Sequence, residues 1–510
     1  MSDIILIQPK AGVYEITSIR MPLPCLSIAA LPDRDGYNVK IIDQRTDKNW
    51  QSNLISSLKS KPICVGVTSM TGPQIGFALE VSKCIKDNSD VPVVWGGVHP
   101  SLLPEQTLEN ENIDIVVVGE GEATFFELVA ALEKEKPLED VKGIWYKQDG
   151  KIKRTPPRPF MDLNALPDMP YHLVDVHKYS AFDLSGTGEQ ALSVMTSRGC
   201  PYGCSFCYNT VFNKRKWRAL TVENSLKRIK NVVDSFGVKS IYFPEDNFSF
   251  DLKRFEGIIK GIIDEGLDIT WGSQGIRMDS VGKMSHELLS LAEKSGCKNL
   301  DIGIESGSPR ILKLIKKGAT VDQIVAGGKK LSEHDFIVKY NFMMGIPTET
   351  KEERKESLDL GSKLIKENKN AYMLFHIYTP FPQTELYKLA LESGFKSPST
   401  LETWAKFNYL DWTYNYDSWL SDKDIKILGN LSFISRLANR NIRYKITNTF
   451  IKTMFDLYYP IAKFRLDHNF YYLFIEKAVE KSMRPVLLKY MSQIGKKYTN
   501  EPSDISARDG

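Results

Sequence analysis

The sequence predicts an α/β protein in three parts: a doubly wound α/β domain, a partial (β/α)6 barrel and a helical C-terminal region. Three observations support this fold class. Short runs rich in valine and isoleucine alternate with amphipathic stretches up to about residue 150, and the alternation resumes after a proline-rich segment. Beyond about residue 400 the strand pattern fades and aromatic residues become frequent. Alternating strand and helix patterns are typical of parallel sheets covered by helices.

Residues 1–150 form the first predicted domain. Its strands are nearly continuous apolar runs, which suit parallel strands covered by helices on both faces. The predicted strands are Ile4–Ile7, Val39–Ile42, Ile63–Thr68, Val93–Trp95 and Ile115–Val118. We therefore expect a doubly wound sheet, whose ligands bind at the carboxyl ends of the strands where the strand order switches.

Residues 151–188 are predicted to be a linker because prolines interrupt them repeatedly. The prolines that stand closest together are Pro156, Pro157, Pro159, Pro167 and Pro170. Proline lacks a backbone N–H and has a fixed φ, so this density excludes a continuous helix or a central strand.

Residues 189–400 form the second predicted domain. Six further strand patterns, each followed by a helical pattern, indicate a partial (β/α) barrel. The predicted strands are Leu192–Ser197, Ser240–Phe243, Ile269–Ser273, Asn299–Ile304, Val338–Met343 and Met373–Tyr378. In such barrels the chemistry takes place at the carboxyl ends of the strands.

Residues 401–500 are predicted to be a helical C-terminal domain, followed by a disordered tail at 501–510. Aromatic residues alternate here with lysines and arginines, and basic residues outnumber acidic ones. Two interpretations stay open. The region is either a helical cap with its aromatic side chains in a core, or a peripheral membrane contact whose rings and cations meet anionic headgroups.

Composition and charge narrow the function classes. The formal net charge of the 510 residues is only +4, which gives no general case for nucleic-acid binding. The first residues lack the basic segment and the long apolar run of a signal peptide. No apolar run approaches the roughly 18–20 residues of a membrane-spanning helix, and seven cysteines make no disulfide framework. We expect a cytoplasmic protein, with peripheral contact at the inner face of the membrane left open.

Three of the cysteines, Cys200, Cys204 and Cys207, are clustered directly after the first predicted barrel strand. Gly199 and Gly203 allow the tight curvature that would aim three thiolates at one point. Three thiolates leave one iron of a cubane cluster without a protein ligand, whereas structural zinc takes four ligands. A zinc loop with a distant fourth ligand, or thiols adjacent by chance, are the alternatives.

This CxxxCxxC loop, with the aromatic Phe206 before its last cysteine, resembles that of the radical S-adenosylmethionine superfamily. The resemblance implies a 4Fe-4S cluster whose open iron chelates the amino and carboxylate groups of S-adenosylmethionine. It also implies that Phe206 lies at the cofactor. An electron from a donor such as ferredoxin or flavodoxin would then cleave the sulfonium to a 5′-deoxyadenosyl radical.

Later turns fit the same resemblance. It implies that Glu245 contacts the amino group of S-adenosylmethionine, although the sequence lacks the usual Gly-Gly-Glu form. It implies that Glu305 and Ser306 position the ribose or methionine part, and that Arg277 pairs with the methionine carboxylate. The segment 341–347 resembles the apolar seat of the adenine. The alternatives are a helix N-cap at Ser306 and an ordinary surface arginine at Arg277.

The first domain carries a second constellation at the ends of its third and fourth predicted strands. Ser69 follows the third strand, and Gly96 and Gly97 follow the fourth. This spacing resembles cobalamin-binding domains, which implies that these three residues contact the corrin ligand. The loop after the first strand contains no histidine, so the resemblance implies cobalamin without a lower ligand from that loop; His99 is expected to be a loop or capping residue. A nucleotide-binding domain is the alternative, but no GxGxxG motif follows the first strand.

Together the two resemblances indicate a cobalamin-binding radical S-adenosylmethionine enzyme, similar to the anaerobic cyclase and methylase group. The implied reaction removes hydrogen from an unactivated carbon and then methylates or cyclises the substrate. A small molecule or a lipid, such as an isoprenoid, is the expected substrate. A tetrapyrrole- or peptide-modifying enzyme, or a non-catalytic cobalamin or redox sensor, are the alternatives, and no nucleic-acid partner is expected. The sequence assigns no catalytic residue beyond the cofactor-binding set.

Overall fold

The computed structural model describes residues 3–12, 19–179, 190–407, 418–439, 449–468 and 470–471. These residues form two sheets covered by helices, followed by further helices at the C-terminal end. The predicted fold class is therefore confirmed. The tail predicted at 501–510 and the aromatic residues beyond position 471 lie outside the described residues.

The first sheet has seven strands in the order β2-β1-β3-β4-β5-β6-β7. The strands are β1 (Ile4–Gln8), β2 (Val39–Asp43), β3 (Cys64–Thr68), β4 (Val93–Gly96), β5 (Ile115–Val117), β6 (Ile144–Gln148) and β7 (Lys151–Arg154). The first five strands pair in parallel, and the last two are antiparallel. The chain adds β2 on one side of β1 and β3 on the other side, so the order of strand addition reverses at β1. Such a reversal opens a crevice at the carboxyl ends of the strands.

Six helices cover this sheet. They are α1 (Leu23–Arg34), α2 (Trp50–Leu58), α3 (Gln74–Asn88), α4 (Val98–Leu102), α5 (Pro104–Glu109) and α6 (Glu122–Glu133). Every residue of β1 and β3 is buried. Their continuous apolar runs thus form central strands with both faces covered, as the sequence predicts.

The first sheet extends beyond the domain boundary predicted at residue 150. The strands β6 and β7 form an antiparallel hairpin that ends at Arg154. Its turn residues Asp149 and Gly150 have φ of 52° and 69°, the left-handed conformation of a two-residue hairpin turn. The hairpin extends the edge of the parallel sheet. The boundary predicted at residue 150 was drawn from the parallel strands alone and therefore falls inside the turn of this hairpin.

The described part of the linker, residues 155–179, contains only short 3₁₀ turns. They are Leu163–Ala165, Tyr171–Leu173 and Val176–Lys178. The Tyr179 hydroxyl donates to Asp43 at the end of β2 at 3.1 Å. The prolines thus leave an irregular chain that is fastened to the first domain.

The second sheet has six parallel strands in the order β15-β14-β13-β12-β11-β8, the arrangement of a partial barrel. Its strands are β8 (Ala191–Ser193), β11 (Ser240–Phe243), β12 (Thr270–Ile276), β13 (Cys297–Glu305), β14 (Ile337–Met344) and β15 (Ala371–Ile377), and the short strands β9 (Ser197–Arg198) and β10 (Arg218–Ala219) pair beside it. The single strand predicted at Leu192–Ser197 is therefore divided between β8 and β9.

Most helices of the second domain begin at a side chain that caps the free amides, and α9 and α11 are the exceptions among those described. They are α7 (Val222–Phe236), α8 (Leu252–Asp264), α9 (Met278–Lys283), α10 (His286–Lys294), α11 (Pro309–Leu314), α12 (Val321–Ser332), α13 (Lys351–Glu367) and α14 (Glu385–Glu392). Thr320 and Thr350 each form a capping box, with Gln323 and Glu353 respectively. Reciprocal side-chain bonds of this kind satisfy the free amides that begin a helix.

In the described part of the C-terminal region, three helices follow: α15 (Leu401–Ala405), α16 (Asp422–Leu437) and α17 (Thr449–Asp467). Trp404 of α15 packs edge-on against the His99 ring at 5.4 Å between centroids, and its indole N–H donates to Gln106 at 2.8 Å. The C-terminal region is helical where described, as predicted, and α15 covers the first domain. Among the described residues, no helix is long and apolar enough to cross a bilayer.

Candidate functional site

The three clustered cysteines lie in a turn between β9 and the 3₁₀ turn Tyr208–Thr210. Gly199 has φ of 81°, and a Cβ there would clash with the carbonyl oxygen of Lys216. Glycine is therefore required where the loop begins. The Ser205 amide donates to the Ile315 carbonyl at 2.9 Å, which fixes the loop against the end of α11.

Polar side chains from two neighbouring strand ends reach the cysteine sulfurs. The Asn247 amide lies 3.6 Å from Cys200 Sγ, and the Arg277 guanidinium lies 3.8 Å from Cys204 Sγ. Burial raises the pKa of the Cys207 thiol to about 12, so a thiolate at this position needs a positive partner such as iron. Donors of this kind tune the potential of an iron–sulfur cluster.

The donors of the cysteine loop fit a cubane cluster. All three thiols are free. Three thiolates can each bind a different iron of such a cluster and leave the fourth iron open, whereas structural zinc takes four ligands.

Arg277 follows β12 and is held firmly beside the cysteines. Its guanidinium pairs with Asp279 at 2.8 Å, donates to the Lys317 carbonyl, and stacks 3.5 Å from the centroid of Tyr202, the second residue after Cys200. The side chain is only 7 % exposed. Although burial opposes the charge, Asp279 raises the pKa of Arg277. The position therefore differs from an ordinary surface arginine, and pairing with the methionine carboxylate stays a prediction.

Glu305 and Ser306 lie at the carboxyl end of β13 but have different environments. Glu305 has φ of 71°, a strained value for a side chain with a Cβ, and its carboxylate pairs with Lys317 at 2.8 Å. Ser306 is fully buried and its hydroxyl lies 3.1 Å from that of Ser357 on α13. Strained carboxylates at strand mouths are typical of functional sites, whereas the bonds of Ser306 fasten the turn to a helix.

Glu245, at the end of β11, is directed into the protein. It is 1 % exposed, and its carboxylate accepts bonds from the Thr196 amide and hydroxyl at 2.6 Å and from the Ser197 hydroxyl. Burial raises its pKa, although the charge of Arg254 opposes the shift. Contact with the amino group of S-adenosylmethionine stays a prediction, but in this structure the carboxylate supports the strand that leads to the cysteines.

The residues next to Glu245 contact the cysteine loop instead. Asp246 accepts a bond from the Gly199 amide at 2.8 Å, and Asn247 reaches Cys200 as described above. The sequence alone predicts no role for either residue. The turn itself was identifiable as a site element, but which of its polar side chains points at the loop depends on the tertiary structure. Phe206 is half-buried and packs against the core, so its predicted contact with the cofactor remains a prediction.

A buried carboxylate, that of Glu349, lies two residues after the segment 341–347 and bonds back to it. Glu349 accepts a bond from the Gly345 amide at 2.6 Å, and Trp419 donates to the Gly345 carbonyl at 2.8 Å. Burial raises the pKa of Glu349 to about 7. These bonds hold a glycine with φ of 75°, so the predicted adenine seat is a rigid turn.

At the carboxyl edge of the first sheet, the predicted corrin-contacting residues come together. The Ser69 amide donates to the Gly96 carbonyl at 2.9 Å, and a Cβ on Gly97 would lie only 2.7 Å from the Ser69 carbonyl oxygen. Gly97 also has φ of 100°. A Cβ on Gly96 would meet nothing closer than 3.9 Å. Gly97 is thus required by its neighbours, while Gly96 leaves a bare edge that a flat ligand can approach.

His99 is enclosed in the protein. It is 0 % exposed, its Nδ1 lies 3.1 Å from the Thr71 hydroxyl, and burial lowers its pKa to about 3. The ring therefore stays neutral and links the turn to α15. His99 lies in the first turn of the short helix α4 and not in a loop, and its ring bonds to a side chain and caps no helix.

A buried charge network joins the two domains directly before the cysteine loop. Arg198 bonds to Glu122 at 2.6 Å and to the Ser27 hydroxyl at 2.7 Å. Arg218 forms two bonds to Glu120, at 2.5 and 2.8 Å. The four charged side chains are between 6 % and 16 % exposed. We call these pairs the domain bridge, and it fixes the cysteine loop relative to the first sheet.

Two family models match this sequence. The radical SAM superfamily model covers residues 194–361, which include the cysteine loop and the turns after it, and the B12-binding domain model covers residues 9–129. The two matches correspond to the two sheets.

Curated relatives match over most of their length. The chain is 32 % identical to an uncharacterized methyltransferase, PH0819, of Pyrococcus horikoshii, over 83 % of this chain and 90 % of that protein. It is 26 % identical to the cytidylyl-2-hydroxyethylphosphonate methyltransferase of Streptomyces wedmorensis, over 78 % of this chain and 83 % of the relative.

A solved structure shares the fold. The radical S-adenosylmethionine methyltransferase TsrM of Kitasatospora setae, determined with cobalamin and a [4Fe-4S] cluster bound, aligns with a TM-score of 0.64 and 18 % identity. The alignment covers 78 % of this chain and 76 % of TsrM. Both sheets therefore recur together in one known architecture.

Proposed function

Because the chain belongs to the cobalamin-binding radical S-adenosylmethionine enzymes, we propose that it forms a 5′-deoxyadenosyl radical, removes hydrogen from an unactivated carbon and methylates that carbon. The family assigns its cofactors: a 4Fe-4S cluster, S-adenosylmethionine and cobalamin. Methylation is favoured over cyclisation because both relatives described above are named as methyltransferases. The observation that carries the proposal is the loop of three free thiols beside Arg277, which the domain bridge fixes to the first domain. The sheet of that domain carries Ser69 and Gly96 at its carboxyl edge.

When bound, the cluster supplies the electron that cleaves S-adenosylmethionine, and cobalamin supplies the methyl group. The chain contributes placement and electrostatics. Cys200, Cys204 and Cys207 would hold the cluster, with Asn247 and Arg277 donating toward two of the sulfurs. Glu305 and Lys317 present an ion pair at the strand mouth, able to orient a zwitterionic amino acid group.

The reaction begins with a single electron, so we also propose a small electron-transfer protein such as ferredoxin or flavodoxin as partner. We propose a cytoplasmic location as well, because electron donors of this kind act there. Tetrapyrrole- or peptide-modifying activity and a non-catalytic cobalamin or redox sensor remain the alternatives. An experiment can distinguish the sensor from the enzyme because only the enzyme must cleave S-adenosylmethionine.

Anaerobic reconstitution tests the proposed function. We expect one corrin and about four irons per chain, and 5′-deoxyadenosine after addition of a reductant and S-adenosylmethionine. Metal, sulfide and corrin analysis and chromatography of the nucleoside provide the measurement. Bound corrin without 5′-deoxyadenosine under reducing conditions would favour the sensor, and a stoichiometric zinc ion at the cysteine loop would refute the enzyme.

A lipid or isoprenoid substrate is the second candidate, and one observation favours membrane contact. Met454, Leu457, Ile461 and Phe464 of α17 are spaced by three and four residues and are between 47 % and 65 % exposed. This spacing places them on one face of the helix. Together with the excess of basic residues in this region, the stripe suits a surface of anionic lipid.

Co-sedimentation with vesicles tests the stripe. We expect the chain to bind vesicles containing phosphatidylglycerol more tightly than pure phosphatidylcholine vesicles. The double substitution Leu457→Ser and Phe464→Ser should weaken this binding at least about tenfold, since each buried large apolar side chain contributes roughly 1.5–3 kcal/mol. Leu391→Ser, at a 40 % exposed leucine on α14, is the matched control. Equal vesicle binding by the wild type, the double variant and the Leu391→Ser control would refute the proposed membrane contact.

A further inference from the structure

The inner face of the second sheet carries a layer of polar side chains. On the other face, Tyr340 and Met373 contact helices α12 and α13, so the alternate positions of these strands face the interior of the partial barrel. The polar residues toward the carboxyl-end half of this inner face of β11 to β15 include Tyr242, Gln274, Asp301, Lys339, Asn341, Tyr372 and His376. Barrel interiors are usually filled by branched apolar residues. A polar layer in this position therefore indicates that the interior binds a polar ligand.

Hydrogen bonds connect the layer across three strands. Lys339 pairs with Asp301 at 2.8 Å, and the Asn341 amide donates to the same carboxylate. The Asn341 carbonyl oxygen lies 3.1 Å from His376 Nε2. Lys339 and Asp301 are 22 % and 20 % exposed, so the network is ordered but accessible. Such preorganised polar groups are what fixes the orientation of a bound small molecule.

Arg20 of the first domain enters the same interior. It comes from the loop after β1, at the crevice of the first sheet, and its guanidinium lies 4.8 Å from the centroid of the Tyr242 ring and 3.4 Å from Gln274 Oε1. Its other donors contact no carboxylate within the part of the chain that the structure describes. A planar guanidinium held in this way matches a bidentate oxyanion.

The charges of this cluster leave a positive excess. Arg20 and Lys339 are cations, and Asp301 is the single carboxylate bonded to either side chain among the described residues. Burial, together with the charges of Lys339 and Arg436, lowers the pKa of His376 to about 4. The imidazole is therefore neutral at physiological pH and able to donate to, or accept from, a ligand.

We propose that Arg20, Lys339, Asn341 and His376 bind the oxyanion of a small, water-soluble substrate, a phosphate, phosphonate or carboxylate, between the two cofactor-binding edges. The proposal rests on the proposed function and narrows its substrate class. A hydrocarbon chain in this interior would remove the charged groups from water without replacing their hydrogen bonds, which is costly. An anionic metabolite replaces those bonds.

Thermal unfolding of the anaerobically reconstituted holoenzyme with inorganic phosphate tests the site. At about 10 mM phosphate, against sodium chloride of equal ionic strength, we expect Tm to rise by roughly 1–3 °C if the affinity is near 1 mM. Arg20→Gln and Lys339→Met should each abolish most of this rise. The absence of a phosphate-specific rise in the wild type, or its persistence in both variants, would overturn the proposal.

Two variants provide matched controls. Arg154→Gln removes an arginine that also lies over an aromatic ring, 5.6 Å from the centroid of Trp145, on the exposed hairpin. Lys355→Met removes a surface lysine that is paired with Asp359. Both should keep the phosphate-dependent rise, so a loss confined to Arg20 and Lys339 identifies the interior cluster.

Methyl transfer from S-adenosylmethionine with a deuterated methyl group identifies the substrate source. We expect the label in a compound from an aqueous metabolite extract that an anion-exchange resin retains. Label found exclusively in an organic-solvent lipid extract, or in uncharged compounds, would refute the proposal. Phosphate binding requires no turnover, so a stable phosphate site with no 5′-deoxyadenosine would refute the proposed reaction and leave the anion site standing.

Discussion

Cys204→Ala should abolish 5′-deoxyadenosine formation completely. Two thiolates cannot hold a cubane cluster that already leaves one iron for S-adenosylmethionine, so the variant should contain little iron after anaerobic reconstitution. Cys204 is 8 % exposed and lies at the centre of the loop, 3.8 Å from Arg277. Chromatography of the nucleoside, iron analysis and the visible absorption of the cluster provide the measurement.

Cys84→Ala is the matched control for this substitution. Cys84 is a free thiol of α3, 6 % exposed and packed in the core of the first domain. Alanine is well tolerated in a helix, so this variant should keep its cluster and its nucleoside production. Retained cluster absorption and 5′-deoxyadenosine in Cys204→Ala would contradict the assignment of the loop. Far-ultraviolet circular dichroism separates loss of cluster from loss of fold.

The sequence predicted the strands well and the antiparallel hairpin not at all, for a physical reason. A buried parallel strand requires an almost uninterrupted apolar run, as in β3, where all five residues are buried. The hairpin strand β7 reads Lys-Ile-Lys-Arg and is mostly exposed, so no apolar run marks it. Its turn, Asp149-Gly150, is the pattern that could have identified it.

The candidate site shows the same division. The cysteine loop is local, so its sequence spacing was enough to place a cluster there. The partners of the loop are not local: Asn247 follows β11, Arg277 follows β12 and Ile315 lies at the end of α11, and only the tertiary structure brings them to the cysteines. Glu245 shows how far the sequence can predict the site. The turn that carries Glu245 was recognised from the sequence, but the direction of its side chain was not. Neighbouring residues at a strand end point to opposite sides, and a sequence does not show which side faces the ligand.

Arg198→Gln should lower the free energy of unfolding by about 3–5 kcal/mol at neutral pH, the cost of leaving one partner of a buried ion pair without the other. Glu122 is 6 % exposed and would keep its charge next to Ser27 with no cation opposite. Anaerobic urea unfolding followed by circular dichroism provides the measurement. Arg34→Gln is the control because Arg34 and Asp35 form an exposed pair, which contributes at most about 1 kcal/mol. A loss no larger than that of the control would show that the domain bridge does not hold the domains.

The pH dependence identifies the carboxylate concerned. Burial alone would raise the pKa of Glu122, but the charge and hydrogen bonds of Arg198 lower it below its ordinary value of 4.5. A carboxylate with a lowered pKa stabilises the fold above its unfolded-state pKa, and this contribution is lost as the pH falls through the folded-state value. In Arg198→Gln the pKa of Glu122 should be raised instead, so the destabilisation should be largest at neutral pH and shrink toward pH 4.

The double variant Arg198→Gln with Glu122→Gln should recover part of the loss at pH 7, because it leaves no unpaired charge. Equal losses in the single and double variants would assign the effect to packing rather than to the ion pair.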